Sequence, residues 1–335
     1  MLPTNLLTFL TTSAAGVTKY LAIVESANSP IVTTYPFTDS GFGTKFANPA
    51  TLPAGGGRGV QFNSDSIAVS HRDSPRVSVY PFSSGGFGSK YADPATLPSG
   101  YGYGVDINNT DLLVGSRSSP HIQAYPFTSG VGIGTKYANP ASSAGSSTYG
   151  VSFNRTGTVA GQVSGPSPYI HTWAFSAGFG TKYSNPATLP PAYGRALSFN
   201  SHSILVGHQN SPFMSAYPFS AGFGTKYADP ASLPSIGRYG VDLTESYAVA
   251  TGDGTPKVGA YPFTTGGFGT KFTDPGGYGT TVGPRYDSSQ TLVAVATADS
   301  PHIVVWRFSA SGFGTKFANP ATTPTSSGKQ AAWLS

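Results

Sequence analysis

The chain has 335 residues, no cysteine, a formal charge of +5, and only 10% charged residues, against roughly a quarter in an ordinary soluble domain. The missing cysteine excludes disulfides, thiolate metal sites and a cysteine nucleophile. The 43 Gly and 28 Pro would suit disorder, but 19 Tyr, 21 Phe and many β-branched residues point instead to a folded all-β protein with tight turns.

At the start of the chain, the apolar piece Leu6, Leu7, Thr8, Phe9, Leu10 follows no Lys or Arg, so a cleaved secretory signal is not expected. Residues 1–18 read as an arm or an extra strand. No run reaches the ~18 apolar residues a spanning helix needs, and membrane insertion is not expected.

From residue 19 to 335 one phrase recurs. Its fullest form is Gly222-Phe223-Gly224-Thr225-Lys226-Tyr227-Ala228-Asp229-Pro230, and its lysines stand at Lys45, Lys90, Lys136, Lys182, Lys226, Lys271 and Lys316. The successive spacings are 45, 46, 46, 44, 45 and 45 residues. Seven copies of that length, each enough for four short strands and their turns, predict a seven-bladed β-propeller forming one domain.

Within a unit the expected strands run 103–108, 112–116, 121–127 and 134–138, each bounded by turn residues. The first carries a Gly-Val-x-aromatic-Asn flavour, as in Gly59-Val60-Gln61-Phe62-Asn63. The second is the most apolar, as in Ile204-Leu205-Val206, which suits burial on both faces. The third ends in Tyr-Pro-Phe, with Trp173-Ala174-Phe175 and Trp306-Arg307-Phe308 as departures, and the fourth is the recurring phrase. The first unit lacks an innermost strand. The segment 329–334 places Trp333 where Phe62 stands, so the tail is expected to complete that blade, with 6–12 as the competitor for the position.

This strand order resembles the WD40-type propeller. Tyr35, Tyr80, Tyr125, Trp173, Tyr217, Tyr261 and Trp306 fall where that family places the Trp of its Trp-Asp pair, although the Gly-His dipeptide and the aspartate are missing. The Gly-Phe-Gly-Thr-Lys-Tyr-Ala-Asn-Pro phrase is similar to repeats of tailed-phage and environmental viral proteins. The resemblance implies a virion location and, as partners, other virion or scaffold proteins and a host-surface glycan.

Chemistry finds few handles. There are two glutamates, Glu25 and Glu245; the twelve aspartates lie mainly in turns; and the six histidines show no metal-ligand spacing. Neither a cofactor nor a metal is expected, and the chain reads as a non-enzyme. Seven of the ten lysines are the repeat lysines, spread round the molecule, so nucleic acid is not an expected partner. Those lysines read either as guards of the blades' outer edges or as a cationic girdle for an acidic partner.

By the geometry the resemblance implies, innermost strands begin at the channel mouth with Arg58, Tyr103, Tyr149, Arg195, Tyr239 and Lys329, and with Val282 in the seventh blade. Loops carrying Arg72, Arg76, Arg117, His121, Tyr169, Gln209, Phe213, Lys257 and His302 share that face, varying beside a constant Ser-Pro or Thr-Pro. Both sets read as binding candidates or as packing. The expected function is a structural or adsorption component of a phage-like particle: tail, fibre or capsid decoration. A free lectin-like or scaffold propeller is the alternative, and a propeller hydrolase or lyase the third reading.

Overall fold

In the computed structural model, residues 18–26, 29–143, 145–234, 237–276 and 281–334 are described; the N-terminal arm and the competing segment 6–12 lie outside them. Seven antiparallel sheets form the ring, and among the described residues there is no helix. Six sheets have four strands; the sheet of Gly194–Phe199, Ser203–His208 and Met214–Pro218 has three, with Phe219 and Phe223 forming an isolated bridge where the fourth would start.

Outer strands are shorter than the sequence suggests, only Gly41–Phe42 in the first blade where 43–47 was expected. The cause is the Tyr-Pro-Phe proline. Pro36 accepts a hydrogen bond from Gly43 N at 2.8 Å but has no N–H to return, so the ladder is one-sided beyond Phe37. The repeat lysines then turn inward. Lys45 Nζ donates to Phe46 O and Asn48 Oδ1 at 3.1 and 2.6 Å, and Lys90, Lys226 and Lys271 pair with Asp93, Asp229 and Asp274. This local use favours the edge-guarding reading over the girdle.

Each repeated tyrosine has a mechanical task. Tyr80, Tyr125, Tyr217 and Tyr261 are fully buried, and their hydroxyls donate to the carbonyls of Thr51, Thr96, Thr188 and Ser232 at 2.8 to 3.0 Å. Those carbonyls belong to the segment crossing from the previous blade, so the hydroxyl fixes the path into the innermost strand. Burial pushes the Tyr80 phenol up to about 12, as expected for a hydroxyl kept as a donor in an apolar seam. Between neighbouring blades lie apolar seams such as Ala22, Val24, Val60, Phe62, Ile67, Val69, Tyr80 and Phe82, with ring pairs such as Phe62–Phe82 at 5.1 Å.

The tail closes the ring as expected: Gly328–Leu334 pairs antiparallel with Lys19–Glu25. Glu25 locks this join. It is completely buried, and one carboxylate oxygen accepts from Thr33 Oγ1 while the other accepts from Thr325 N and Ser326 N at 2.7 and 3.0 Å. Four donors, counting Thr325 Oγ1 at 2.9 Å, replace the water this charge loses.

At the axis, innermost strands touch almost backbone to backbone. A Cβ on Gly104 would lie 2.8 Å from Val151 N and 3.0 Å from Gly150 Cα, closer than real side chains approach. The Gly of the Gly-Val motif is therefore a spacing device for the hub.

Candidate functional site: a cationic channel mouth

Each innermost strand carries a β-bulge near its start. Gly57 pairs with His71 and Gly59 with Ser70, leaving Arg58 unpaired; Tyr149, Arg195 and Lys329 are skipped in the same way in their strands. A bulge re-aims the extra side chain, and here it turns it toward the channel. A cavity of about 380 Å³ is lined by Arg58, Tyr103, Tyr149, Arg195, Gln209, Val282 and Lys329. The side chain of Tyr239 lies outside the described residues.

The structure thus brings together five of the six mouth candidates, with Val282 and Gln209. The loop candidates are different. Arg72, Arg76, Arg117, His121, Tyr169, Phe213, Lys257 and His302 line neither this cavity nor the narrower one of about 100 Å³ beneath it. Arg76, His121, Tyr169, Phe213 and His302 have φ between 65° and 73°, and their backbones pack on the next blade: Tyr169 O lies 2.7 Å from where Gly194 would carry a Cβ. Their variable side chains decorate a structural turn. Arg72 and Arg117 stack instead on exposed Tyr101, at 6.0 and 5.4 Å.

Around the mouth the groups form a ladder. The Arg58 guanidinium lies 5.5 Å from the Tyr103 ring, Tyr103 and Tyr149 are 5.4 Å apart, and Arg195 sits 4.3 Å above Tyr149. Stacking orients both guanidinium groups, yet the buried Nε of Arg58 and of Arg195 has no hydrogen-bond partner. Among the described residues no carboxylate lies within ion-pair distance of Arg58, Arg195 or Lys329, and Lys329 Nζ reaches only Ser327 Oγ at 3.4 Å. Desolvation, then the Arg58 charge, pulls the Lys329 ammonium below its usual range.

The opposite mouth holds a larger cavity, about 520 Å³. Asp106 and Asp242 occupy the x position of the Gly-Val-x motif and line it, as do Ser152, Ser198 and Arg285. Their charges are already used. Asp242 accepts from Ser198 Oγ at 3.0 Å, Arg285 Nη1 at 3.1 Å and Tyr286 N at 2.9 Å; Asp106 accepts from Phe153 N at 2.7 Å and Ser152 Oγ at 3.1 Å. Desolvation raises the Asp106 carboxyl, and the Phe153 amide is the first of several donors that oppose it. These bonds staple three pairs of neighbouring blades together. Aligning the x positions of the repeats would have revealed them.

No protein-family model matches the chain, and no curated protein matches it in sequence. Solved structures do resemble it. A propeller from Bacteroides fragilis, provisionally assigned as a 6-phosphogluconolactonase, superposes with a TM-score of 0.71 at 13% identity, covering 97% of this chain and 99% of that one. A similarly assigned protein from Bacteroides uniformis gives 0.70 at 13%, covering 94% and 99%. The periplasmic gluconolactonase of Pseudomonas aeruginosa gives 0.69 at 12%, covering 95% and 99%. The expectation of a non-enzymatic phage component is overturned by this finding: these look-alikes carry the names of sugar-lactone hydrolases. The lack of a sequence-visible carboxylate pair does not by itself exclude an enzyme, since uncompensated cations can also stabilise developing negative charge. What stands of the WD40-type resemblance is the seven-bladed β-propeller.

Proposed function

We propose that the chain is a hydrolase opening the lactone ring of a small anionic sugar acid, at the mouth lined by Arg58, Arg195 and Lys329. One observation carries this reading: three cations with no carboxylate partner among the described residues converge on a single ligand-sized cavity. Unpaired, partly desolvated charge is costly, and an anionic ligand relieves that cost. The lactonase names of the similar propellers supply the reaction class.

In this reading water adds to the lactone carbonyl carbon, the ring C–O bond breaks, the ring oxygen takes a proton, and a carboxylate with one proton is released. The carbonyl oxygen becomes an oxyanion on the way, and guanidinium N–H groups oriented by Tyr103 and Tyr149 are suited to stabilise it. Lys329 stays an ammonium that, with Arg58, holds the anionic end of the substrate, and the attacking water gives its proton to solvent.

The test is acid release from the δ-lactone of 6-phosphogluconate and from glucono-δ-lactone at constant pH. Wild type is expected to exceed spontaneous hydrolysis, with preference for the phosphorylated lactone, and Arg58→Gln to lose at least about tenfold in kcat/KM. A wild-type rate equal to the uncatalysed one on both lactones overturns the proposal.

A further inference from the structure

The three cations are not one cluster. Lys329 and Arg58 come from adjoining blades and feel each other's charge. Arg195 belongs to a blade three places round the ring from that of Arg58, with Tyr103 and Tyr149 between them. In a seven-fold ring this puts Arg195 on the far side of the mouth. The intervening tyrosines have flat, uncharged faces, so the rim presents positive, apolar, positive.

We infer that the mouth contains two separate anion subsites, Arg58 with Lys329 on one side and Arg195 on the other, and that it takes an open-chain ligand with an anionic group at each end. The inference rests on the lactonase reading for its choice of ligand. A phosphorylated lactone has one charged group and fills one subsite. Its hydrolysis product, a phosphorylated aldonate, has a phosphate at one end and a new carboxylate at the other, and fills both. The product is therefore held more tightly than any ligand with a single charged end, and inhibits. Aligning the aldonate chain along Tyr103 and Tyr149 places the phosphate against the paired cations, because a dianion calls for two positive partners and a carboxylate is matched by one guanidinium fork.

Calorimetric binding tests this without any turnover, using 6-phosphogluconate, glucose 6-phosphate and gluconate as probes. Wild type is expected to bind 6-phosphogluconate at least about tenfold more tightly than either other probe. Arg195→Gln should bring 6-phosphogluconate down to the affinity of glucose 6-phosphate while leaving the latter unchanged. Arg58→Gln should weaken both phosphates, and unchanged melting curves establish that both variants fold. Equal affinities for 6-phosphogluconate and glucose 6-phosphate, an Arg195→Gln variant weakened equally toward both, or no binding of any probe would each overturn the two-subsite inference. A protein that binds as expected but opens no lactone keeps the subsites and sinks only the proposed reaction.

Discussion

The two mouths of the channel are built from opposite ends of the same seven strands, and both carry charge. At the mouth where those strands end, Asp242 meets Arg285, Ser198 and the Tyr286 amide, and Asp106 meets the Phe153 amide and Ser152. At the mouth where they begin, Arg58, Arg195 and Lys329 face the channel with no carboxylate partner among the described residues. Charge that is answered within the protein makes architecture, whereas charge left unanswered waits for something from outside. The larger cavity is at the paired end.

The strongest way to break this contrast is to remove one charge from each end. Asp242→Ala strands Arg285, leaves the Tyr286 amide unpaired in a buried position, and is expected to cost about 3–5 kcal/mol, read as a melting temperature lower by roughly 10 °C. Arg195→Ala should leave melting within about 2 °C of wild type, or raise it slightly by relieving repulsion, while abolishing the preference for the bis-anion. Similar losses from both substitutions would erase the distinction.

A second probe is acid. His71 and His208 hold the loops of the cationic face: each Nδ1 contacts a loop carbonyl, Asp73 O or Asn210 O, at 2.9 Å, and each Nε2 contacts Ser78 or Ser215 Oγ at 3.1 and 3.0 Å. Burial lowers both imidazoles to about 4 from an ordinary 6.5. Between those values the unfolded chain takes up protons that the folded one refuses. Their contribution is therefore complete above pH 6.5 and is lost as pH falls to 4, by an amount on the order of a few kcal/mol. Asp106 works in the other sense, because its raised carboxyl is protonated more readily folded than unfolded. Hydrogen exchange at pH 4.5 should thus open the amides of Arg76 and Phe213, which bond to Asp73 O and Asn210 O, before that of Phe153. His71→Gln with His208→Gln should flatten the acid dependence of stability. Uniform loss of protection at both ends would refute this.

The mildest change sharpens the picture inside the cationic mouth. Tyr149→Leu keeps every charge but removes the ring under Arg195, and 6-phosphogluconate affinity is expected to fall about three- to fivefold, with no change for glucose 6-phosphate.

Periodicity made most of the scaffold readable. Lysines 44 to 46 residues apart gave the blades, and Trp333 standing where Phe62 stands gave the closing strand. The mouth followed from the same alignment, since a rigid repeat carries Arg58, Tyr149, Arg195 and Lys329 to equivalent bulges. Three things did not follow. The outer strands were overdrawn because the missing N–H of Pro36 and its counterparts was not counted against the ladder. Loop residues such as Tyr169 vary from copy to copy, and neither the positive φ that five of them share nor their place outside the channel cavities could be read from that variation. The blade staples Asp106 and Asp242 were passed over because the most conspicuous phrase, Gly-Phe-Gly-Thr-Lys, belongs to the rim and speaks of packing. Those staples stand at a position that differs between copies.

Lys329 sits on the strand that clasps the ring, beside the join locked by Glu25. An unclasped wheel therefore has only two of its three cations in place, and whatever ligand engages Lys329 also presses the latch shut. Occupancy and closure reinforce each other, so fraying of the tail is the first event that a bound anion should suppress.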